Sequence, residues 1–368
     1  MREHILSAVF SLTCLKPRQP CCLFVFPLNR SALQDGWNLV SKLTPRRAWN
    51  ALQIVSSYAL SRVIRKPRLW GSPVSISFEP TTSCNLRCPE CPSGLRSFTR
   101  PTGMLPDALF KQSIDQLHDR LLYLLFYFQG EPYLHPSFLE LVRYASQKRI
   151  YTATSTNGHF LTEENARRTV ESGLDRLIIS LDGTTQDVYQ QYRVGGKLDK
   201  VLEGTKRLVK WKRELKSRTP YLIFQFLVVR PNEHQIADAQ KLAKELGVDD
   251  VWFKTAQIYD YAQGSPLIPT IDYYSRYQAQ PNGTYTLKNK LIDGCWKMWH
   301  SCVITWDGLV VPCCFDKDAH HRLGNLQQQS FHEVWKSEKY RKFRGALIKS
   351  RSSIEMCQNC SEGTKVWG

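Results

Sequence analysis

The sequence predicts an α/β fold in which parallel strands and helices alternate and curve into a partial barrel, followed by a small cysteine-rich domain. Two observations predict it. Six apolar, β-branched runs between residues 73 and 258 end in polar or glycine-rich turns, and helix-period segments follow each of the first five. Beyond them, after a stretch with no period, six of the twelve cysteines fall between residues 293 and 368.

The strand runs are "VSISFEPT" from Val74, "LLYLLFYFQGE", "YTATSTNG", "RLIISLDG", "YLIFQFLVV" and "DVWFKTA". Within the second, "LLYLLFYF" (Leu121 to Phe128) reads as one fully buried strand. Pro106 suits the first turn of the first helix. The helix after the fifth run is the best marked. Asn232 is its expected N-cap, Ile236, Ala239, Leu242, Ala243 and Leu246 form one apolar stripe, and Gly247 is a C-terminal stop. Six βα units with right-handed crossovers give a partial, TIM-like (β/α)6 barrel. Residues 73–258 are assigned to it, 1–72 to a basic N-terminal extension with a helix, 259–292 to a linker across the barrel mouth, and 293–368 to the cysteine-rich domain.

Composition is ordinary for a globular chain of 368 residues, with 42% hydrophobic and 23% charged residues. No apolar run reaches the ~18 residues that span a bilayer. The net charge of +17 is uneven, with eleven Lys/Arg against two Asp/Glu in the first 70 residues. Such an excess attracts nucleic acid, anionic lipid or an acidic protein. These charges follow no single helical face, so a solvated extension is the stronger reading. The opening "MREHILSAVFSLTCL" has no small-residue cleavage site after it, so the expected location is the cytoplasm. There, clustered cysteines mean metal or redox chemistry rather than disulfides. Cys14, Cys21 and Cys22 lie in the extension and are given no role.

In such barrels chemistry sits on loops at the C-terminal strand ends. The first strand end delivers Cys84, Cys88 and Cys91 in "SCNLRCPECP"; the others deliver Gln129-Gly130-Glu131-Pro132, Ser155 to Gly158, Ser180, Asp182 and Gly183, Gln225, and Lys254-Thr255. Three thiolates on one loop hold three irons of a cubane and leave the fourth open, as a catalytic site requires. Zinc lacks its fourth ligand here. Gly130 lets a ligand approach the backbone, and Glu131 accepts hydrogen bonds from an ammonium group.

"CNLRCPEC", "QGEP", "STNG" and "SLDG", in that order, resemble the radical S-adenosylmethionine superfamily over about Ser75 to Thr255. The resemblance implies an enzyme that cleaves S-adenosylmethionine at a 4Fe–4S cluster and abstracts hydrogen from a substrate. It implies Cys84, Cys88 and Cys91 as cluster ligands, Gly130 and Glu131 at the methionyl amine, Asn157 and Ser180 at ribose and carboxylate, and Arg193 as a charge for the carboxylate. No further catalytic residue is assigned. Two departures stand out. Glu90 occupies a place before the third cysteine that is often aromatic, and Gln129 replaces the first glycine of Gly-Gly-Glu-Pro.

Further on, "VITWDGLVVPCC" reads as a hairpin turning at Asp307-Gly308, and "SFHEVWKSEKYRKFRGAL" as one helix. With the final C-x-x-C, this region resembles the auxiliary-cluster domain called SPASM (twitch-like in its shorter form). By spacing, Cys295, Cys313, Cys357 and Cys360 are assigned to a second 4Fe–4S cluster. Cys314 is the alternative to Cys313, and Cys302 is read as a small buried residue. Four cysteines suit zinc as well as iron. The family includes peptide and protein maturases and an aminocyclitol dehydrogenase; the seven-cysteine form of sulfatase maturases is missing here. The expected partners are a small-molecule or peptide substrate and an electron donor such as flavodoxin or ferredoxin. The alternative of another class is a non-catalytic iron–sulfur or zinc module for an acidic partner such as nucleic acid. The open iron and the intact Gly130-Glu131 speak against it.

Overall fold

A computed structural model describes residues 30–360 and 362. Cys14, Cys21 and Cys22 lie outside the described residues. The chain begins with α1 (Arg30–Ser41) and α2 (Pro45–Ile64), then β1 (Ser75–Phe78), a helical turn α3 (Pro92–Leu95) and α4 (Asp107–Leu117). There follow β2 (Tyr123–Leu125), α5 (Phe138–Gln147), β3 (Tyr151–Thr156), α6 (Glu163–Glu171) and β4 (Arg176–Ser180). Next come α7 (Gln186–Tyr192), α8 (Leu198–Glu214), β5 (Tyr221–Val228), α9 (Ile236–Leu246) and β6 (Asp250–Thr255). A small hairpin, β7 (Tyr277–Ala279) and β8 (Tyr285–Leu287), lies in the segment read as unpatterned. The C-terminal part has α10 (Lys297–His300), β9 (Ser301–Ile304), β10 (Leu309–Val311), β11 (Gly324–Asn325), α11 (Phe331–Lys336), α12 (Glu338–Lys349) and α13 (Glu355–Gln358).

The six expected strands form, all parallel, in the order β1 to β6. The second is shorter than its apolar run, covering three residues. On the other side of β1 the sheet continues. β9 pairs parallel with β1, Ser75 against Ser301 through Phe78 against Ile304, and β10 and β11 follow antiparallel. The cysteine-rich part therefore extends the barrel sheet instead of standing apart from it. The largest apolar cluster runs between the strands and their helices, with Ile76, Phe78, Phe110, Leu124, Phe126, Leu177, Ile179, Leu222 and Phe224 all buried.

The helices from Arg30 onward are docked on the barrel; Arg30, Arg46, Arg62 and Arg65 are exposed, as expected of solvated charge, but Arg47 is not. Arg47 is buried, and its guanidinium donates to the carbonyls of His118 at 2.6 Å, Lys148 at 3.0 Å, Lys42 at 2.7 Å and Arg149. It thereby caps the C-terminal ends of α4 and α5, whose last carbonyls have no partner inside the helix. Asp35 of α1 accepts from the Tyr151 hydroxyl and pairs with Arg176 at the starts of β3 and β4. Ile54 and Tyr58 of α2 enter the apolar cluster that holds Cys295 and Cys357, with Tyr58 5.2 Å from Trp296 and 5.1 Å from Trp299.

Two local expectations are corrected. Asn232 sits at the N-cap position of a short 3-10 turn (Glu233–Gln235) that leads into α9, but its side chain makes no capping bond. It is buried and ties strand ends together, accepting from the Val229 N–H at 2.8 Å and donating to the carbonyls of Asp182 and Leu227. The single helix expected over 330–347 is two helices, because Ser337 is extended and its hydroxyl accepts from the Tyr340 N–H to start α12. Gly247, at φ 75°, does end α9. Among the described residues no helix is long and apolar enough to cross a membrane.

Candidate active site

The loop after β1 is pinned at both ends. Thr82 N–H donates to the Gly103 carbonyl at 3.1 Å and Leu105 N–H to the Pro80 carbonyl at 2.9 Å. Beneath it, Arg100 and Glu79 form a buried bidentate pair, with Nη1 to Oε2 at 2.9 Å. The loop presents Cys84, Cys88 and Cys91 to a cavity of about 180 Å³, also lined by Tyr127, Gly130, Glu131, Asn157, Ser180, Arg193 and Gln225. Cys84, Cys88, Cys91, Gly130, Glu131, Asn157, Ser180 and Arg193 thus line one cavity, whereas Asp182, Gly183, Lys254 and Thr255 do not.

Gly130 has φ +74°, and a Cβ there would stand 2.1 Å from the Thr81 carbonyl oxygen. The close approach is made by the chain leading into the cysteine loop, not by the cavity's contents. Next to it, Glu131 N–H donates to the Ser83 carbonyl at 2.8 Å, and Gly130 N–H donates to the Ser93 hydroxyl at 2.9 Å. Glycine here seats the second strand's loop directly on the first.

The Glu131 carboxylate is buried and accepts from the Thr156 hydroxyl at 2.7 Å, the Asn157 N–H at 2.7 Å and the Tyr133 N–H at 3.3 Å. Burial pushes its carboxyl up to about 7 against these bonds. The Asn157 amide donates to Asn85 Oδ1 at 2.7 Å and lies 3.8 Å from Cys84 Sγ. Arg193 is held by Asp182 at 2.5 Å, with Nη1 3.7 Å from Cys88 Sγ. Its charge faces the thiols as much as the open cavity. Glu90 accepts from the Tyr259 N–H at 3.0 Å and so ties the cysteine loop to the segment after β6.

Burial pushes the Cys84 thiol up to about 11 and raises that of Cys88. Thiols in this setting ionise only against a strongly cationic partner, such as the irons of a cluster. The three thiols line one cavity, and among the described residues no three His, Cys, Asp or Glu converge as a single-ion site does. The donor set fits a cluster.

A second cavity is lined by Cys295, Cys313, Cys357 and Cys360, with Lys297, Arg351 and Glu362. Cys314 is exposed and does not line this cavity. Cys302 sits in β9 within the main core. Sequence reasoning missed Arg351. It is buried, donates Nη2 toward Cys360 Sγ at 3.1 Å and leaves Nε and Nη1 without partners. An anionic cluster held by these thiolates would answer those orphaned donors. No sequence signal marked Arg351, because an arginine in a polar stretch reads as exposed.

Residues 78–225 match the Radical SAM superfamily, and residues 295–361 match SPASM, an iron-sulfur cluster-binding domain. A tungsten-containing aldehyde ferredoxin oxidoreductase cofactor-modifying protein of Pyrococcus furiosus is 27% identical over 77% of this chain and 86% of its own. An AdoMet-dependent heme synthase of Methanosarcina barkeri is 27% identical over 79% of this chain and 91% of its own. Mycofactocin maturase MftC of Mycobacterium tuberculosis is also 27% identical, over 78% and 76%. Among solved structures, Streptococcus suis SuiB bound to S-adenosylmethionine shares the fold, with a TM-score of 0.59, 14% identity, and coverage of 85% of this chain and 77% of SuiB.

Proposed function

Because this chain belongs to the Radical SAM superfamily and carries a SPASM domain, we propose that Cys84, Cys88 and Cys91 hold one 4Fe–4S cluster and Cys295, Cys313, Cys357 and Cys360 a second. When bound, the first cluster and S-adenosylmethionine supply reductive cleavage to methionine and a 5′-deoxyadenosyl radical, which takes a hydrogen atom from the substrate. The chain's own residues bind and orient. Glu131 receives the methionyl ammonium, which keeps the carboxylate ionised. Asn157 and Ser180 meet the ribose and carboxylate. Arg193, oriented by Asp182, holds a positive charge beside Cys88 and the cofactor carboxylate. Cys313 rather than Cys314 closes the second set, since Cys313 lines the cavity with the other three. A flavodoxin or ferredoxin delivers the electron that cleavage consumes.

One observation carries this reading. Three thiols from a single loop share a cavity with Glu131, Asn157 and Ser180, which come from three further strand ends, and with Arg193 at the end of α7. The test is anaerobic incubation of the reconstituted protein with S-adenosylmethionine and dithionite. Release of 5′-deoxyadenosine is expected from the native chain and not from Cys88→Ala. Equal release from both would remove the assignment.

A further inference from the structure

Between the two cysteine groups lies a set of cations that the cluster and cofactor roles leave unassigned. They come from four places in the chain. Lys254 stands on β6 in register with Leu227 of β5, as Trp252 does with Gln225. Residues paired across parallel strands share a face, and Gln225 and Leu227 line the first cavity. Lys254 is therefore on the same side as that wall, exposed, with Nζ 5.3 Å from the Trp252 ring. Arg276, just before β7, donates Nε to the Thr255 hydroxyl at 2.8 Å, and its Nη1 is buried without a partner. Lys297 pairs with Glu362 at 3.2 Å, and Glu362 also feels Arg276 and Lys254. Lys317 donates to the Tyr259 hydroxyl at 2.6 Å and stands in the fields of Cys91, Cys314 and Arg276.

The charges do not cancel. The four cations face two carboxylates, Glu362, which pairs with Lys297, and Glu90, which lies in the field of Lys317. Lys254 and Arg276 make no ion pair among the described residues. Like charges gathered at a cavity wall raise its potential and select an anion. An arginine whose outer nitrogen is free presents a donor shaped for an oxyanion. Lys297 and Lys317 also stand near thiols, so part of their charge serves those groups. Lys254 and Arg276 are linked to Glu362 and Lys317 instead.

We propose that Lys254 and Arg276, supported by Lys297 and Lys317, bind a carboxylate, phosphoryl or sulfo group of the substrate and so orient it between the two cysteine groups. Calling this anion part of a substrate rests on the radical reading above. Its source is either a small molecule or the acidic side chains of a peptide.

Two probes, titrated calorimetrically into anaerobically reconstituted full chain at fixed ionic strength, test the site: inorganic phosphate and an end-blocked tetraglutamate peptide. Saturable one-to-one binding of at least one is expected, weakened tenfold or more by Lys254→Gln and by Arg276→Gln, with iron per chain unchanged. Lys241→Gln, an exposed lysine paired with Glu245, should leave binding as it was. Tighter binding of phosphate assigns a small anion, and tighter binding of tetraglutamate an acidic peptide. No saturable binding, or equal binding by the native chain and both variants, overturns the proposal. So does loss of iron in the two variants, which would make them counter-charges of a cluster. The same preparations are assayed for 5′-deoxyadenosine. Anion binding without release sinks the enzyme reading alone, and release without anion binding sinks this proposal alone.

Discussion

Gly130→Ala is the most demanding test of how the site is assembled. The added Cβ would lie 2.1 Å from the Thr81 carbonyl oxygen and 2.8 Å from that of Ser83, where real Cβ atoms stay beyond 3.0 Å. The chain entering the cysteine loop must therefore retreat by about 0.9 Å. Both obstacles are backbone, so no rotamer change relieves them. Left-handed backbone adds ~1–2 kcal/mol for any residue with a Cβ, and forced repacking another ~1–3 kcal/mol. Gly283→Ala is the control, since Gly283 is also left-handed, at φ +81°, but has nothing within 4 Å of its Cβ position. Denaturant unfolding of the metal-free chains should show a loss of ~1–2 kcal/mol for Gly283→Ala and ~2–5 kcal/mol for Gly130→Ala. In a background lacking Cys357 and Cys360, iron should load normally into the first variant and poorly into the second. Full loading of Gly130→Ala, with stability equal to that of Gly283→Ala, would refute the claim that this glycine seats the loop.

Glu131→Gln reads out burial of the carboxylate. Because its native value is raised to about 7, the metal-free native chain holds a proton that the unfolded chain has lost. Its stability should fall as pH rises from ~4.5 to ~7, by on the order of 3 kcal/mol relative to the glutamine variant. Parallel denaturation midpoints for the two proteins at pH 5 and 8 would contradict this. Arg351→Gln removes a buried cation beside Cys360, so the midpoint potential of the second centre should move negative in an EPR-monitored titration. An unchanged potential would disconnect Arg351 from the metal. Arg47→Ala strips a charged cap from the ends of α4 and α5 and should cost ~3 kcal/mol or more; a loss under about 1 kcal/mol would mean that water replaces it without penalty.

The parts legible in the sequence were those written locally. Three cysteines on one loop, a Gly-Glu-Pro turn and six alternating strand runs each carry their signal within a few residues. Contacts between distant segments left no such mark. Nothing in "SCVI" says that β9 lies parallel to β1, since a short apolar run fits any buried strand. Asn232 before a helix reads as a cap, and only the arrival of the Asp182 carbonyl and the Val229 N–H gives its side chain other bonds. Ser337 interrupts a run whose period continues through it. Arg47 and Arg351 looked like solvated charge because their partners are carbonyls and thiols from elsewhere in the chain. The exposed Cys314 and the half-buried Cys313 are adjacent in sequence, and only the fold separates them.

The strand that carries the cysteine loop has one neighbour near it in sequence and one far away. β2 follows within about fifty residues, whereas β9 begins at Ser301 against Ser75. A ribosome adding ~5–20 residues per second needs roughly ten to fifty seconds to supply that second neighbour. During that interval β1 is an unpaired sheet edge, open to pairing with other chains. Its loop has one firm support instead of two. Iron delivered to a nascent chain would meet thiols that are not yet held in place. The join between β1 and β9 thus sets an order of events, with the last fifth of the polypeptide completing the platform for ligands in the first third. For the same reason, a gene split near residue 292 should yield two fragments that need each other to become soluble.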